Sequence, residues 1–244
     1  MEEFRIKLAG TAIGLRTIYP RTKNICRDYL TDEEPELYIS TSEADISAER
    51  QMSIEAAELE GTEAHSFRDD YLESLAAYRM ITTALSARDC ALMHGAAIAV
   101  DGEVYIFTAR SGTGKTTHIR LWLEKFGDRA IVVNGDKPIL KLADGSIYVC
   151  GTPWCGKEHL NANVILPLKA VCILERSDEN SIVPITAAEA LPTLMAQLFR
   201  PAVPESMRGM LKMADSITRL VPLYRLGCNM QPEAADVSYS GMNS

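Results

Sequence analysis

The run Ala109-Arg110-Ser111-Gly112-Thr113-Gly114-Lys115-Thr116 has the residue types and the order needed to hold a chain of phosphates. Glycines at 112 and 114 tolerate the backbone turns that point successive N–H groups into one concavity, and a helix opening just after them adds the positive end of its dipole. Lys115 brings a full charge to the β and γ phosphates, while the Thr116 hydroxyl suits the oxygen shell of Mg2+. Ser111, Gly112, Thr113, Gly114, Lys115, Thr116 and Thr117 are therefore the expected nucleotide-binding residues. Ala109 stands where the pattern G-x-x-x-x-G-K-[ST] has its first glycine, and a negative φ at the end of a strand would accommodate the methyl group. About 20 residues downstream, Ile131-Val132-Val133-Asn134-Gly135-Asp136 reads as a buried strand ending in an acid. Such an acid beside a phosphate loop can hold Mg2+ directly or through water; the other reading of Asp136 is a turn residue ahead of Lys137-Pro138.

Positioning these groups requires a strand before the loop and a helix after it. ALMHGAAIAV and EVYIFTA are apolar runs joined by Asp101-Gly102, a two-residue hairpin signal, so a strand leads straight into the loop. Beyond it Ile119, Trp122, Leu123 and Phe126 form one helical stripe that Gly127 can end; His118, one turn past the loop, reads as a helix-surface residue. Asp144-Gly145 marks a second hairpin, LKAVCILE a central strand, and Thr186 to Glu189 a capping box with Pro192 in or just after the first turn. A further stripe runs through Met207, Met210, Leu211, Ala214, Ile217 and Leu220. Residues 4–40 hold short, partly β-branched runs, and a helical pattern begins at Phe67. The expected division is a β-rich layer over residues 1–66 packed on a phosphate-loop domain over residues 67–244.

Composition narrows the partners. Residues 31–70 carry 13 Asp/Glu against 2 Lys/Arg, so the net charge of −8 is concentrated there and the rest of the chain is about +3. No basic run offers footing for nucleic acid, and no apolar stretch approaches the roughly 20 residues of a membrane span. The N-terminus lacks a secretory signal pattern, which leads to the expectation of a cytoplasmic protein. The six cysteines contain no C-x-x-C pair and read as free buried thiols.

Together, His94-Gly95, Ser111 to His118, Asn134 to Pro138 and Gly151-Thr152-Pro153-Trp154-Cys155-Gly156-Lys157 make the chain resemble the catalytic domain of HPr kinase/phosphorylase, above all its short bacterial relatives, which share a phosphate-loop fold with phosphoenolpyruvate carboxykinase. The resemblance is convincing over about residues 90–180. It implies an α/β domain with a mixed sheet and flanking helices, ATP and Mg2+ as cofactors, and γ-phosphoryl transfer to a hydroxyl of a protein, peptide or free amino acid. It implies Lys115, Asp136 and His94 as catalytic residues and Thr116 with Asp136 as metal ligands. Because HPr kinases assemble, it also leaves room for a homo-oligomer. Trp154 and Lys157 would serve the substrate as an apolar wall and a cation; a structural turn is the other reading of that loop. The family carries tandem aspartates where this chain has Gly135-Asp136, so Asp136 serves as ligand and base together, or His94 helps, or hydroxyl chemistry is weakened. Rival readings are a noncatalytic nucleotide-binding module, a carboxykinase-type lyase and a regulatory NTPase.

Overall fold

The computed structural model describes residues 1–60 and 66–244, and it divides into two compact units, Met1–Ala84 and Leu85–Ser244. The expected boundary at 66/67 adjoins residues 61–65, which lie outside the described residues.

In the first unit β1 (Glu2–Leu8), β2 (Thr11–Thr17) and β3 (Leu37–Ser40) form a sheet in that order, with β1 and β2 antiparallel and β2 and β3 parallel. The connection from β2 to β3 carries α1 (Arg21–Ile25) and a 3-10 turn. Two long helices follow: α2 (Glu43–Glu60) adds helix to the segment expected to be β-rich, and α3 (Asp69–Ser86) is the helix whose pattern begins at Phe67. The α2 pattern is hard to read because Glu49, only 3% exposed, sits on its inner face beside Ile46, where it pairs with Arg79 of α3. A second buried carboxylate, Glu73, accepts hydrogen bonds from the Ile18 and Tyr19 amides and from the Thr41 hydroxyl, tying α3 to the chain around β2 and β3. A buried charge needs such partners to offset its desolvation.

The second unit is a mixed sheet flanked by helices. Its strands are β4 (Cys90–Leu92), β5 (Ala96–Val100), β6 (Glu103–Thr108), β7 (Ala130–Asn134), β8 (Ile139–Ala143), β9 (Ser146–Cys150), β10 (Ile165–Arg176), β11 (Ser181–Pro184) and β12 (Leu223–Cys228). The order is β4-β8-β9-β10-β6-β5-β7, with β12 alongside β10 and β11 beyond it. Long β10 joins the two kinds of pairing: its start runs antiparallel to β9 and its remainder parallel to β6 and β12. Both Asp-Gly hairpins form as the sequence predicts, with positive φ at Asp101 and Gly102 and at Asp144 and Gly145.

Side chains alternate across the sheet, and both faces are covered. Ala97, Ala99, Val104 and Ile106 face α5 (Ala187–Gln197) and α6 (Pro204–Leu220), whereas Ala96, Ile98, Tyr105 and Phe107 face α4 (Lys115–Phe126) and α7 (Glu233–Met242). The capping box on α5 is present, with Thr186 and Glu189 bonded reciprocally, and Pro192 lies in the second turn. On α6 the buried side is Met210, Met213, Ala214 and Ile217, while Leu211 and Leu220 of the expected stripe are about half exposed. All six cysteines are free, and five are buried. No helix among the described residues is long and apolar enough to cross a membrane.

Candidate functional site

Strand pairing alone brings three separated segments to one end of the sheet. β5 lies between β6 and β7, antiparallel to both, so the start of β5 meets the ends of its neighbours. The loop of residues 109–114 follows β6, His94 precedes β5, and Asp136 follows β7. Two hydrogen bonds fix this junction: Thr108 Oγ1 donates to the His94 carbonyl at 2.9 Å, and the Gly95 amide donates to the Asp136 carbonyl at 3.0 Å.

The loop has the conformation its glycines allow, with φ of 75° at Gly112 and 120° at Gly114, and Gly114 caps α4 without a side-chain acceptor. The first-turn N–H groups of α4 therefore receive no cap from that residue. Ala109 is buried and is not among the positive-φ residues, so the missing first glycine costs no backbone strain. Lys115, 8% exposed, turns back over the loop and donates to the Ala109 carbonyl at 3.0 Å and the Arg110 carbonyl at 3.3 Å. Its ammonium has neutral carbonyl partners there, and burial lowers its pKa while Asp136 works in the opposite direction. Arg176, at the end of β10, donates to the Gly112 carbonyl at 2.5 Å. Thr116 is half-buried in the first turn of α4.

Asp136 is placed by Asn134 rather than by an extended strand. β7 ends at Asn134, which corrects the expectation that the strand runs through to the acid. The Asn134 side-chain oxygen accepts from the Asp136 amide at 2.9 Å and the Lys137 amide at 2.6 Å, an Asx turn. Its amide nitrogen donates to the Thr152 carbonyl at 3.0 Å and the Thr152 hydroxyl at 2.9 Å, so one buried side chain clasps the acid-bearing turn to the 151–157 loop. Gly151 makes that approach feasible: a Cβ there would stand 1.7 Å from the Ala162 carbonyl oxygen.

The result is a polar cluster in which Asp136 Oδ1 lies 3.4 Å from His94 Nε2 and Asp136 Oδ2 lies 3.9 Å from Lys137 Nζ. Burial and the nearby Lys115 charge push the His94 pKa below its ordinary value, outweighing the pull of Asp136 and of the Gln197 amide. His94 is thus neutral near pH 7 and able to accept a proton. A Cβ on Gly135 would meet the Cys155 carbonyl at 3.3 Å and the Leu160 carbonyl at 3.4 Å. Among the described residues no three His, Cys, Asp or Glu side chains gather into a metal cage. One carboxylate and one hydroxyl suit an ion that keeps most of its ligands as water and phosphate oxygens, which is the habit of Mg2+.

A family model, that of the SynChlorMet cassette protein ScmC, matches residues 66–233. The chain belongs to the ScmC family. The ScmC match contains the loop, His94, Asp136 and the 151–157 segment. No curated protein matches the chain. A solved structure, the HPr(Ser) kinase/phosphatase from Coxiella burnetii, aligns at 10% identity over 63% of this chain and 99% of that one, with a TM-score of 0.34.

Two expectations change. His118 is not on the helix surface: it is 2% exposed, its Nε2 lies 3.1 Å from Ser238 Oγ, and its ring meets the Phe107 edge 4.4 Å away. Its cover is α7, which sequence spacing cannot place over α4. Trp154 is buried, with its carbonyl near the Asn134 and Thr152 donors, so it braces the loop from within rather than offering an open wall. Lys157 is exposed. Asn134, read only as part of the Asn134–Pro138 segment, was given no role, and Gln197, which acts on His94 from α5, was missed. Only Asn134 carried a signal, as an Asn two residues before an acid in a turn.

Proposed function

We propose that this chain is an ATP- and Mg2+-dependent phosphotransferase that moves the γ-phosphoryl group to a hydroxyl. The observation that carries the reading is the sheet end itself, where a Gly-x-Gly-Lys-Thr loop, a buried lysine donating to two main-chain carbonyls, and a His–Asp pair meet. In this reading the domain is a phosphate-loop domain of the HPr kinase type. The loop amides and Lys115 orient and neutralise the phosphates, Thr116 and Asp136 hold Mg2+, and Asp136 takes the hydroxyl proton with His94 as a neutral neighbour. Little covalent chemistry is asked of the protein; positioning and charge stabilisation carry the rate.

Gly135 decides how that base must work. A Cβ at position 135 would meet the Cys155 carbonyl at 3.3 Å and the Leu160 carbonyl at 3.4 Å, and with glycine there Asp136 is the one carboxylate of this turn and serves as base alone in this reading. The same feature favours one other reading, a nucleotide-binding module without transfer. Incubation with γ-labelled ATP, Mg2+ and a panel of free serine, serine-ending peptides and cell lysate separates the two. A labelled acceptor that disappears with Asp136→Asn supports the kinase; tight nucleotide binding with no labelled acceptor supports the module.

A further inference from the structure

The two edges of the β1-β2-β3 sheet are finished differently. Along β1, Ile6 is bridged antiparallel to Leu30 and the Thr31 amide donates to the Arg5 carbonyl at 3.1 Å, so returning chain covers that edge. β3 is the other edge, and among the described residues no strand runs beyond it. The Glu36 amide donates to the Ala12 carbonyl at 2.9 Å, which turns the alternate amides, those of Leu37 and Ile39, away from β2. Proteins commonly blunt such an edge with a lysine, a proline or a bulge inside the strand. β3 reads Leu-Tyr-Ile-Ser, pairs without a shift in register and has none of these devices.

The outer face beside this edge is open. Phe4, Leu15 and Ile39 turn into the core, so Gly14, Arg16, Tyr38 and Ser40 face outward. Tyr38 is 76% exposed, and its ring lies across Gly14: a Cβ on that glycine would stand 2.9 Å from a ring carbon. A trough of about 540 Å3 runs here, lined among others by Arg5, Arg16 and Tyr38. Both arginines already have acids, Glu34 at 2.8 Å from Arg5 and Glu3 at 3.6 Å from Arg16. The charge around β3 itself is negative, since the stretch from Asp28 to Glu49 holds eight Asp/Glu and no Lys or Arg. A second copy of the chain would set this acidic stretch against itself, and like charges opposed across paired strands are destabilising.

We propose that β3 is an interaction edge that takes an extended, basic segment of another protein as a fourth strand, with an aromatic side chain of that segment laid on Tyr38. The inference is independent of the phosphotransferase reading. In this mode main-chain hydrogen bonds to the outward amides and carbonyls of Leu37 and Ile39 supply affinity, and the alternate side chains supply specificity. Lysines or arginines flanking the added strand answer the acids on either side of β3.

Calorimetry with the full chain tests this, using the acetylated and amidated peptide Lys-Lys-Val-Tyr-Val-Lys-Lys and its counterpart with glutamates for lysines. The lysine peptide should bind about tenfold or more tightly than the glutamate peptide at low salt, with a narrower gap at high salt. An added edge strand bonds through alternate amides only. Of two N-methylated lysine peptides, one blocked at both valines and one at the tyrosine and the lysine two places after it, one should stay within about threefold and the other should lose about tenfold or more. Leu37→Pro removes an outward amide without touching the ladder to β2 and should weaken binding about tenfold or more. Tyr38→Ala should weaken it about threefold or more, with urea unfolding used to show that both variants fold. The two N-methylated peptides decide the matter even if a variant does not fold. Equal behaviour of those two peptides, equal binding of the lysine and glutamate peptides, binding that survives Leu37→Pro, or no binding at all overturns the inference. A wild-type dimer in sedimentation that Leu37→Pro disperses would give the edge to a second copy and overturn it too.

Discussion

The loop of residues 109–114 and the turn of residues 134–137 stand side by side at one end of the same sheet, yet they are built by different means. The loop is local. Two glycines with positive φ, a lysine folded back onto carbonyls five and six residues earlier, and an amphipathic helix behind it account for its shape. The turn is not local: Asp136 is aimed by Asn134, and Asn134 is held by Thr152, 18 residues away, on a loop that needs Gly151 for its close approach. A phosphate cradle can be specified by eight consecutive residues, whereas a base aimed at the reacting atoms needs several distant segments to agree.

That contrast ranks the expected effects. On the turn side, Asp136→Asn should lower phosphoryl transfer by about 10² to 10⁴, the usual worth of a positioned general base, while nucleotide binding without Mg2+ changes little. Equal loss of binding with and without metal, read by titration calorimetry, would make Asp136 structural and erase the contrast.

Behind the loop, the helix core should respond to acid. Burial lowers the His118 pKa to about 4, so its imidazole stays neutral in the fold while the unfolded chain takes up a proton near pH 6.5. A depressed histidine pKa means that the unfolded state binds more protons between those values, so stability is full above pH 6.5 and falls as pH drops toward 4. The loss attributable to this residue, from an imidazole held at about 4 rather than its ordinary value, is on the order of 3 kcal/mol. Urea unfolding across that range should show a shallower acid decline for His118→Gln than for the wild type, and parallel curves would refute the assignment.

Asn134→Ala comes next in size. It strips the Asp136 and Lys137 amides and the Thr152 groups of a buried partner, which should cost about 1 to 3 kcal/mol and reduce transfer without altering ADP affinity. If transfer is untouched, the clasp does not aim the acid. Gly135→Asp should have the smallest catalytic effect. The new Cβ would meet the Cys155 and Leu160 carbonyls, so labelled-ATP assays should show no gain in transfer; a clear gain would mean that the turn presents position 135 to the site.

The same division describes how much the sequence disclosed. Both Asp-Gly hairpins, the buried strand leading into the loop, the α4 stripe with its Gly127 end and the Thr186–Glu189 box follow from short-range chemistry, and each was readable. The burial of His118 was not, because Ser238 and the helix that covers it lie 120 residues onward. Nor was α2, whose inner face carries Glu49 in place of an apolar residue. Asp136 was legible as an acid after a strand, but its approach to His94 depends on antiparallel pairing of β5 with β7, which no spacing rule supplies.

Thermal unfolding with and without saturating MgATP reads whether Lys115 and its loop bind the phosphates of a nucleotide. At about 100 times the dissociation constant, ligand linkage predicts about 2.7 kcal/mol of added stability for the wild type and essentially none for Lys115→Ala at the same nucleotide concentration. Equal stabilisation of the two proteins, or none in the wild type, would contradict the account.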